Sequence, residues 1–149
     1  MKIEERLEIL KKVESIAALA GLRGVVTDDG DCFRMGFETT NGRSQGVFVR
    51  PSGHTPDGKV IVTLFSPANT FPKGLFKGLG KEAAMELLRL NEKTFFARFG
   101  LWESKSEVMV VASIDAILES LDADEIRAYS YYAANAADEY ESRHGRDRF

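Results

Sequence analysis

The residues that could carry acid–base or nucleophilic chemistry are few and widely separated in this sequence. The two histidines, His54 and His144, lie in a loop rich in Pro and Gly and close to the C-terminus. A catalytic triad requires a nucleophile, a base and an orienting acid within hydrogen-bonding reach, and neither histidine has a neighbouring Ser or Cys that fits this role. Cys32 begins a predicted strand, where a cysteine is more often a small core residue than a nucleophile. We therefore predict a protein that is not an enzyme.

Three acidic residues, Asp28, Asp29 and Asp31, could bind a divalent cation. The twelve-residue calcium loop also requires a glutamate at its closing position, which the sequence lacks. Asp-Gly is typical of a tight hairpin turn, so we interpret residues 28–31 as a solvated turn. The chain has a single cysteine, which excludes a multi-cysteine metal site. We predict no metal and no cofactor.

Residues 78–83 (GLGKEA) have the glycine spacing of a relaxed dinucleotide-binding fingerprint. That fingerprint requires a preceding strand and a parallel βαβ unit. Residues 70–77 contain a proline and a glycine, and the strand after the predicted helix begins a hairpin, so the pattern is better explained as the beginning of a helix. Exposed amides at a helix N-terminus attract anions. One alternative function is therefore a small-ligand or anion-binding regulatory domain that uses Lys73, Lys77, Gly78, Gly80 and Lys81.

The composition is that of an ordinary globular protein, with 149 residues, 44% hydrophobic residues and a net charge of −3. Residues 43–98 contain nine basic and four acidic side chains, and residues 103–141 contain ten acidic and two basic ones. The basic region lacks the clustered arginines and stacking aromatics of a nucleic-acid surface, so we predict no nucleic-acid partner. No apolar run approaches the ~20 residues of a membrane helix, so we predict no membrane partner. The single cysteine suits a reducing compartment, and the predicted location is the cytoplasm.

The hydrophobic periodicity predicts three helices and six strands. Helices are expected at residues 2–20, from residue 81, and at 122–143, and strands at 24–28, 32–39, 44–50, 59–66, 94–102 and 108–114. Residues 51–58 and 66–80 are predicted to be loops. Strands that run as a meander and a hairpin pair antiparallel. We therefore predict the α+β class, an antiparallel sheet with helices packed on it, in a single domain of residues 1–144 with a charged tail at 145–149.

The predicted hairpin after the middle helix has more apolar side chains than one buried face requires. Its first face is wholly apolar. Its second face contains Phe96, Trp102, Met109 and Val111, which is too apolar for ordinary solvent contact. Either the middle helix covers these side chains within the same chain, or they form an interface, since large exposed apolar patches mark binding surfaces.

One segment of the sequence resembles a known group of domains. Leu90-Asn91, the strand FFARFGL at 95–101, the strand at 108–114 and the helix from Asp122 are similar to the YbjN-like domains. Those domains share the fold of the type III secretion chaperones (Tir-chaperone-like), which for this chain implies the order α-β-β-β(-β)-α-β-β-α.

The resemblance implies a non-enzymatic protein-interaction module. Secretion chaperones are homodimers formed through the middle helix and the following hairpin, and they bind an extended client segment on apolar patches. YbjN-like proteins are described as possible regulators of signalling, sensory transduction or stress. The partner expected here is a client protein or a second copy of the chain. The residues expected at the dimer or partner interface are Met85, Leu88, Phe96, Trp102 and Met109 by position, with Val111 added from the second face of the hairpin.

Overall fold

The computed structural model describes residues 1–40, 42–73 and 79–144. The predicted tail at 145–149 lies outside the described residues. In chain order, the elements are α1 (Ile3–Leu19), β1 (Gly24–Val26), β2 (Phe33–Glu38), β3 (Ser44–His54), β4 (Val60–Pro72), α2 (Lys81–Lys93), β5 (Arg98–Glu103), β6 (Glu107–Ile117) and α3 (Ala123–His144).

The six strands form one antiparallel sheet in the order β1-β2-β3-β4-β6-β5. The first four strands are a meander. After α2 the chain returns so that β6 pairs with β4 and β5 becomes the outer strand. The predicted α+β class, with an antiparallel sheet and three helices, is confirmed. Among the described residues, none of the helices is both long and apolar enough to span a membrane.

All three helices bury their apolar side chains against the same side of the sheet. Strand side chains alternate between two sides, and one alternate set forms the core. One cluster joins α1 and α3 to the meander; its members include Leu10, Val13, Phe33, Met35, Val49, Leu64 and Ile126. A second cluster joins α2 and α3 to the hairpin; its members include Leu87, Val110, Ala112, Ala137 and Tyr140. We call the opposite side of the sheet the open face.

The beginning of α3 has the capping box that the sequence predicts. The Asp122 backbone amide donates to Oε2 of Glu125, and Oδ1 of Asp122 accepts from the Glu125 amide at 2.8 Å. These bonds satisfy backbone groups that the first helical turn leaves without partners.

Three strands are longer than predicted: β6 continues to Ile117, and β3 and β4 extend into predicted loops. β3 continues to His54 and β4 continues to Pro72, so the predicted loops at 51–58 and 66–80 are wrong over their first residues. The prolines there suggested loops because a proline cannot donate to a ladder. Both extensions contain a register shift, between Pro51 and Gly53 and between Pro67 and Asn69, and such bulges tolerate proline.

β5 begins at Arg98, later than the sequence predicts, because the chain turns sharply at Phe96. Phe96 has a φ of +58°, and the Ala97 amide donates to the Phe95 carbonyl at 2.6 Å, which closes a three-residue γ-turn. The alternation that predicts a strand from residue 94 is therefore interrupted. The Phe96 ring lies on the helical side, 5.7 Å from the ring of Tyr129 and 5.0 Å from that of Tyr132 between centroids.

Asn91 near the end of α2 occupies part of the outer edge of β5. Its Oδ1 accepts from the Phe99 amide at 2.6 Å, and its Nδ2 donates to the Phe99 carbonyl at 3.1 Å. The side-chain amide thus makes the two hydrogen bonds that a neighbouring strand would make.

A buried ionic cluster connects the beginning of β3 to α3. The guanidinium Nε of Arg43 lies 2.9 Å from Oδ1 of Asp138, and its Nη2 lies 3.3 Å from Oε2 of Glu141. Both carboxylate side chains are only 1% exposed. Buried charges require such compensation because removal from water is costly.

Candidate functional site

The open face carries a row of arginine and aromatic side chains. Register pairs Arg34 with Phe48, Phe48 with Phe65, and Phe65 with Ser113, and paired residues point to the same side of a sheet. In the part of the chain that the structure describes, no helix lies across this row. Only the N-terminal end of α1 reaches one margin, where Met1 and Arg6 help to line a cavity of about 330 Å³.

The aromatic rings and the guanidinium groups of this face stack on one another. The rings of Phe48 and Phe65 are parallel within 17°, with centroids 5.2 Å apart. The ring of Trp102 lies 4.2 Å from that of Phe65. The Arg50 guanidinium carbon lies 3.8 Å from the Trp102 centroid, and that of Arg34 lies 5.9 Å from the Phe48 centroid. These are cation–π distances.

Trp102 reaches Phe65 across an intervening strand. Trp102 lies on β5 and Phe65 on β4, and β6 lies between them. The indole therefore lies over β6, which explains why Val111 is fully buried although no described helix covers this face. The predicted interface role of Val111 is wrong, because its side chain is not available to a partner.

The other predictions for the hairpin have mixed outcomes. Trp102 and Met109 do share the open face, since they are register partners, and both are half-buried. Phe96 is 57% exposed but lies on the helical side, so its predicted position beside Trp102 is wrong. Nor does the middle helix cover this face: α2 packs beside β5 on the helical side, where Oε1 of Glu86 lies 2.9 Å from Nε2 of His144.

The arginines of the open face have no carboxylate partner within the described chain. Arg34 is exposed and Arg50 is half-buried. The Arg50 Nε is shielded from solvent and has no hydrogen-bond acceptor among the described residues. By contrast, Arg6, Arg43, Arg127 and Arg143 on the helices and turns are ion-paired. Arg34 and Arg50 therefore give this face positive charge that no carboxylate of the described residues pairs with.

Cys32 lies at the margin of the open face, in the cavity that Arg50 and Trp102 also line. Burial, together with the negative charge of Asp29, raises the pKa of the thiol to about 11. The thiol is the unreactive form. This environment agrees with the interpretation of Cys32 as a structural residue.

We expect Cys32 to react slowly with a thiol reagent. With a pKa of about 11, about 0.1% of the side chain is thiolate at pH 8. Ellman's reagent should label the folded protein roughly 100-fold more slowly than the denatured chain, and the rate should rise with pH up to about 11. Rapid labelling of the folded protein at pH 8 would contradict the assigned environment.

Two acidic side chains of the turn at residues 28–31, those of Asp29 and Asp31, have partners within the chain. Oδ1 of Asp29 accepts from the Thr27 hydroxyl at 2.5 Å and from the Asp31 amide at 3.0 Å. These bonds lower the pKa of Asp29. Asp31 pairs with Arg6. Within the described residues, no group of three His, Cys, Asp or Glu side chains is arranged to hold a metal ion.

The lysine-rich segment is described only in part. Lys77 and Gly78 lie outside the described residues. Lys73 Nζ lies 2.6 Å from Oε2 of Glu103, so its charge is already compensated. Gly80 is the N-cap of α2 and Lys81 is exposed. These described contacts add no support to an anion site.

The outer face of α2 exposes the two apolar residues that the sequence predicts for an interface. Leu88 is 64% exposed and Met85 is 41% exposed, one turn apart. Phe95, just beyond the helix, is 75% exposed and extends this apolar surface. We call these three residues the α2 patch. Phe95 was not among the predicted interface residues, because the alternation placed it on the wholly apolar face of the predicted strand.

A groove lies beside this patch, between the end of α2 and α3. Its volume is about 380 Å³, and its lining includes Leu90, Phe95, Phe99, Tyr132 and Tyr140. Lys93 and Arg143 provide charge at the rim. The groove extends the aromatic surface of the α2 patch towards α3.

No protein-family model matches this chain, and no curated protein matches it either.

Proposed function

We propose that this protein is a non-enzymatic interaction module with a chaperone-like fold, which forms a homodimer through α2 and binds a segment of a client protein. The observation that carries the proposal is the exposure of Leu88 and Met85 on the outer face of α2, whose other face packs against β5 and α3. Large apolar side chains on one exposed helix face are stabilised when a second surface covers them. The order of helices and strands supports the likeness to secretion chaperones and YbjN-like domains.

The exposed stripe of α2 is complementary to itself. Lys81, Met85, Leu88 and Glu92 are spaced four, three and four residues apart and are all exposed, so they share one helix face. In an antiparallel pair around a two-fold axis, Met85 of one copy meets Leu88 of the other, and Lys81 meets Glu92. The stripe of one copy can therefore pack against the same stripe of a second copy of this chain.

The residues beside the stripe follow the same symmetry. Glu82 and Arg89 are exposed, seven residues apart, on one flank of α2. The two-fold axis places Glu82 of one copy opposite Arg89 of the other. Opposite charges flanking an apolar seam fix the register and orientation of helix pairs. A parallel arrangement would place like charges together, so the charges favour the antiparallel dimer.

The decisive experiment introduces a charge into the apolar seam. We expect the native protein to be a dimer by size-exclusion chromatography with light scattering, and Leu88→Asp to be a folded monomer, because a buried uncompensated carboxylate disfavours association. Leu19→Asp is the matched control, since Leu19 is 80% exposed on α1 and should leave the dimer intact. A native monomer, or a dimeric Leu88→Asp protein, would refute the proposed dimer.

A charge exchange tests the antiparallel register. Glu82→Arg should weaken dimerisation because it places two arginines opposite each other across the seam. The double variant Glu82→Arg/Arg89→Glu should restore the native dissociation constant, measured by analytical ultracentrifugation. If the double variant is no tighter than the single one, these two residues do not face each other.

A further inference from the structure

We propose that the open face of the sheet binds an acidic, extended polypeptide segment, with Arg34 and Arg50 binding its carboxylates and Phe48 and Trp102 contacting its apolar side chains. This inference rests on the proposed function as an interaction module and names the chemistry of the client. The binding surface lies on the opposite side of the sheet from α2, so it remains available in the proposed dimer.

The uncompensated positive charge of this face selects the partner. Arg34 and Arg50 have no carboxylate partner within the described chain. The Arg50 guanidinium carbon lies 3.8 Å from the Trp102 centroid, and that of Arg34 lies 5.9 Å from the Phe48 centroid. The two Nη groups of each guanidinium have no carboxylate partner among the described residues, and a pair of Nη groups matches a carboxylate in a bidentate geometry. A partner with carboxylates would pair with these Nη groups.

The acidic residues on the open face do not form ion pairs with Arg34 or Arg50. Asp115 accepts from the Thr63 hydroxyl at 2.5 Å, and Asp31 at the margin pairs with Arg6. Glu38 and Glu107 lie at strand ends. Asp115 keeps its negative charge, because its donor is a neutral hydroxyl, but it lies two strands away from Arg50. The part of the face around Arg34, Phe48 and Arg50 is therefore positive and aromatic.

The surface beside the arginine row allows close approach of another backbone. Register pairs Gly36 with Gly46, and Gly100 with Val111. A Cβ at Gly36 or at Gly100 would meet nothing within 4 Å, so packing within the chain does not require glycine there. Between Gly36 on β2 and Gly100 on β5 the sheet measures about 19 Å, since strands lie about 4.8 Å apart. This distance matches roughly six residues of extended chain.

Two features favour a polypeptide over a nucleic acid. Binding of nucleic acid depends on many phosphate contacts by Lys and Arg, and here the centre of the face offers two free arginines in a chain of net charge −3. Base stacking also requires open ring faces, whereas Phe65 is 7% exposed and is covered by Phe48 and Trp102.

The experiment probes the full-length protein with an array of random dodecapeptides. We expect the bound peptides to be enriched in Asp and Glu alternating with apolar residues. The tightest of these, labelled with fluorescein, should lose affinity about ten-fold in Arg34→Gln and again in Arg50→Gln. Lys11→Gln removes the same charge from the exposed side of α1 and should bind like the native protein. Trp102 is the only tryptophan, so its emission should change on binding at this face.

Several outcomes would overturn the proposal. One is an array without acidic enrichment, and another is acidic peptides that bind Arg34→Gln and Arg50→Gln as tightly as the native protein. Tighter binding of a dT12 oligonucleotide, with the same arginine dependence, would assign the face to nucleic acid. The Leu88→Asp monomer should bind the same peptides, so failure of the dimer and failure of the acidic site are distinguishable.

Discussion

Replacing Arg43 by methionine should lower the free energy of unfolding by about 3–5 kcal/mol, because it removes the guanidinium that faces two buried carboxylates. Asp138 and Glu141 are 1% exposed and lie 2.9 and 3.3 Å from that guanidinium. Methionine preserves the length and apolar contacts of the arginine stem, so the loss reports mainly on charge. Urea denaturation followed by circular dichroism measures it.

Two further variants test whether the loss of unfolding free energy in Arg43→Met comes from the removed charge. Arg34→Met makes the same substitution on an exposed arginine of the neighbouring strand and should change stability by less than about 0.5 kcal/mol. Adding Asp138→Asn and Glu141→Gln to Arg43→Met should recover much of the loss, since neutral side chains cost less to bury. If the triple variant is no more stable than Arg43→Met, the cluster is not held by charge compensation.

Gly24→Ala should destabilise the protein by about 3 kcal/mol, because β1 and β2 are too close for a side chain there. A Cβ at position 24 would lie 2.6 Å from the Phe33 ring and would clash with the backbone carbonyl of Arg34. Phe33 is a fully buried core residue and cannot move aside cheaply. We expect the three-residue edge strand to separate from β2, with faster hydrogen exchange at Val26.

The matched control for this strand is Gly36→Ala. Gly36 lies on β2, where a Cβ would meet nothing within 4 Å. Alanine there should be neutral or slightly stabilising, because glycine in a strand is entropically unfavourable. Equal losses from Gly24→Ala and Gly36→Ala would show that the cost at position 24 does not come from close packing.

Period-two and helical patterns were sufficient for most of the fold. The α1 helix and the alternation of Phe33, Met35 and Phe37 are local signals, and the structure places each element where they predict it. The extension of β4 to Pro72 was missed because its ladder partner, β6, is distant in sequence. A proline in a strand is acceptable only where the partner strand allows a bulge, and local sequence does not reveal that partner.

The predictions of surface residues were limited in the same way, because they too relied on local sequence patterns. Met85 and Leu88 were instead named as interface residues from the family resemblance, and both are exposed on one face of α2. Phe96 was misplaced because its positive φ interrupts the alternation, and a phenylalanine gives no local signal for that conformation. Phe48, Phe65 and Arg50 were overlooked, although alternation in β3 and β4 puts them on one side. Their meeting depends on strand order, which the sequence pattern leaves open.

The side chain of Asn91 also bears on how the protein behaves when concentrated. An unblocked outer strand is a template on which further chains polymerise, and the amide of Asn91 occupies the backbone groups of Phe99 where such growth would begin. On this edge of the sheet, the backbone of Leu101 to Glu103 could still pair with another chain, and this short stretch ends in a charged residue. Asn91→Leu should therefore cause the protein to form thioflavin-positive fibrils on storage.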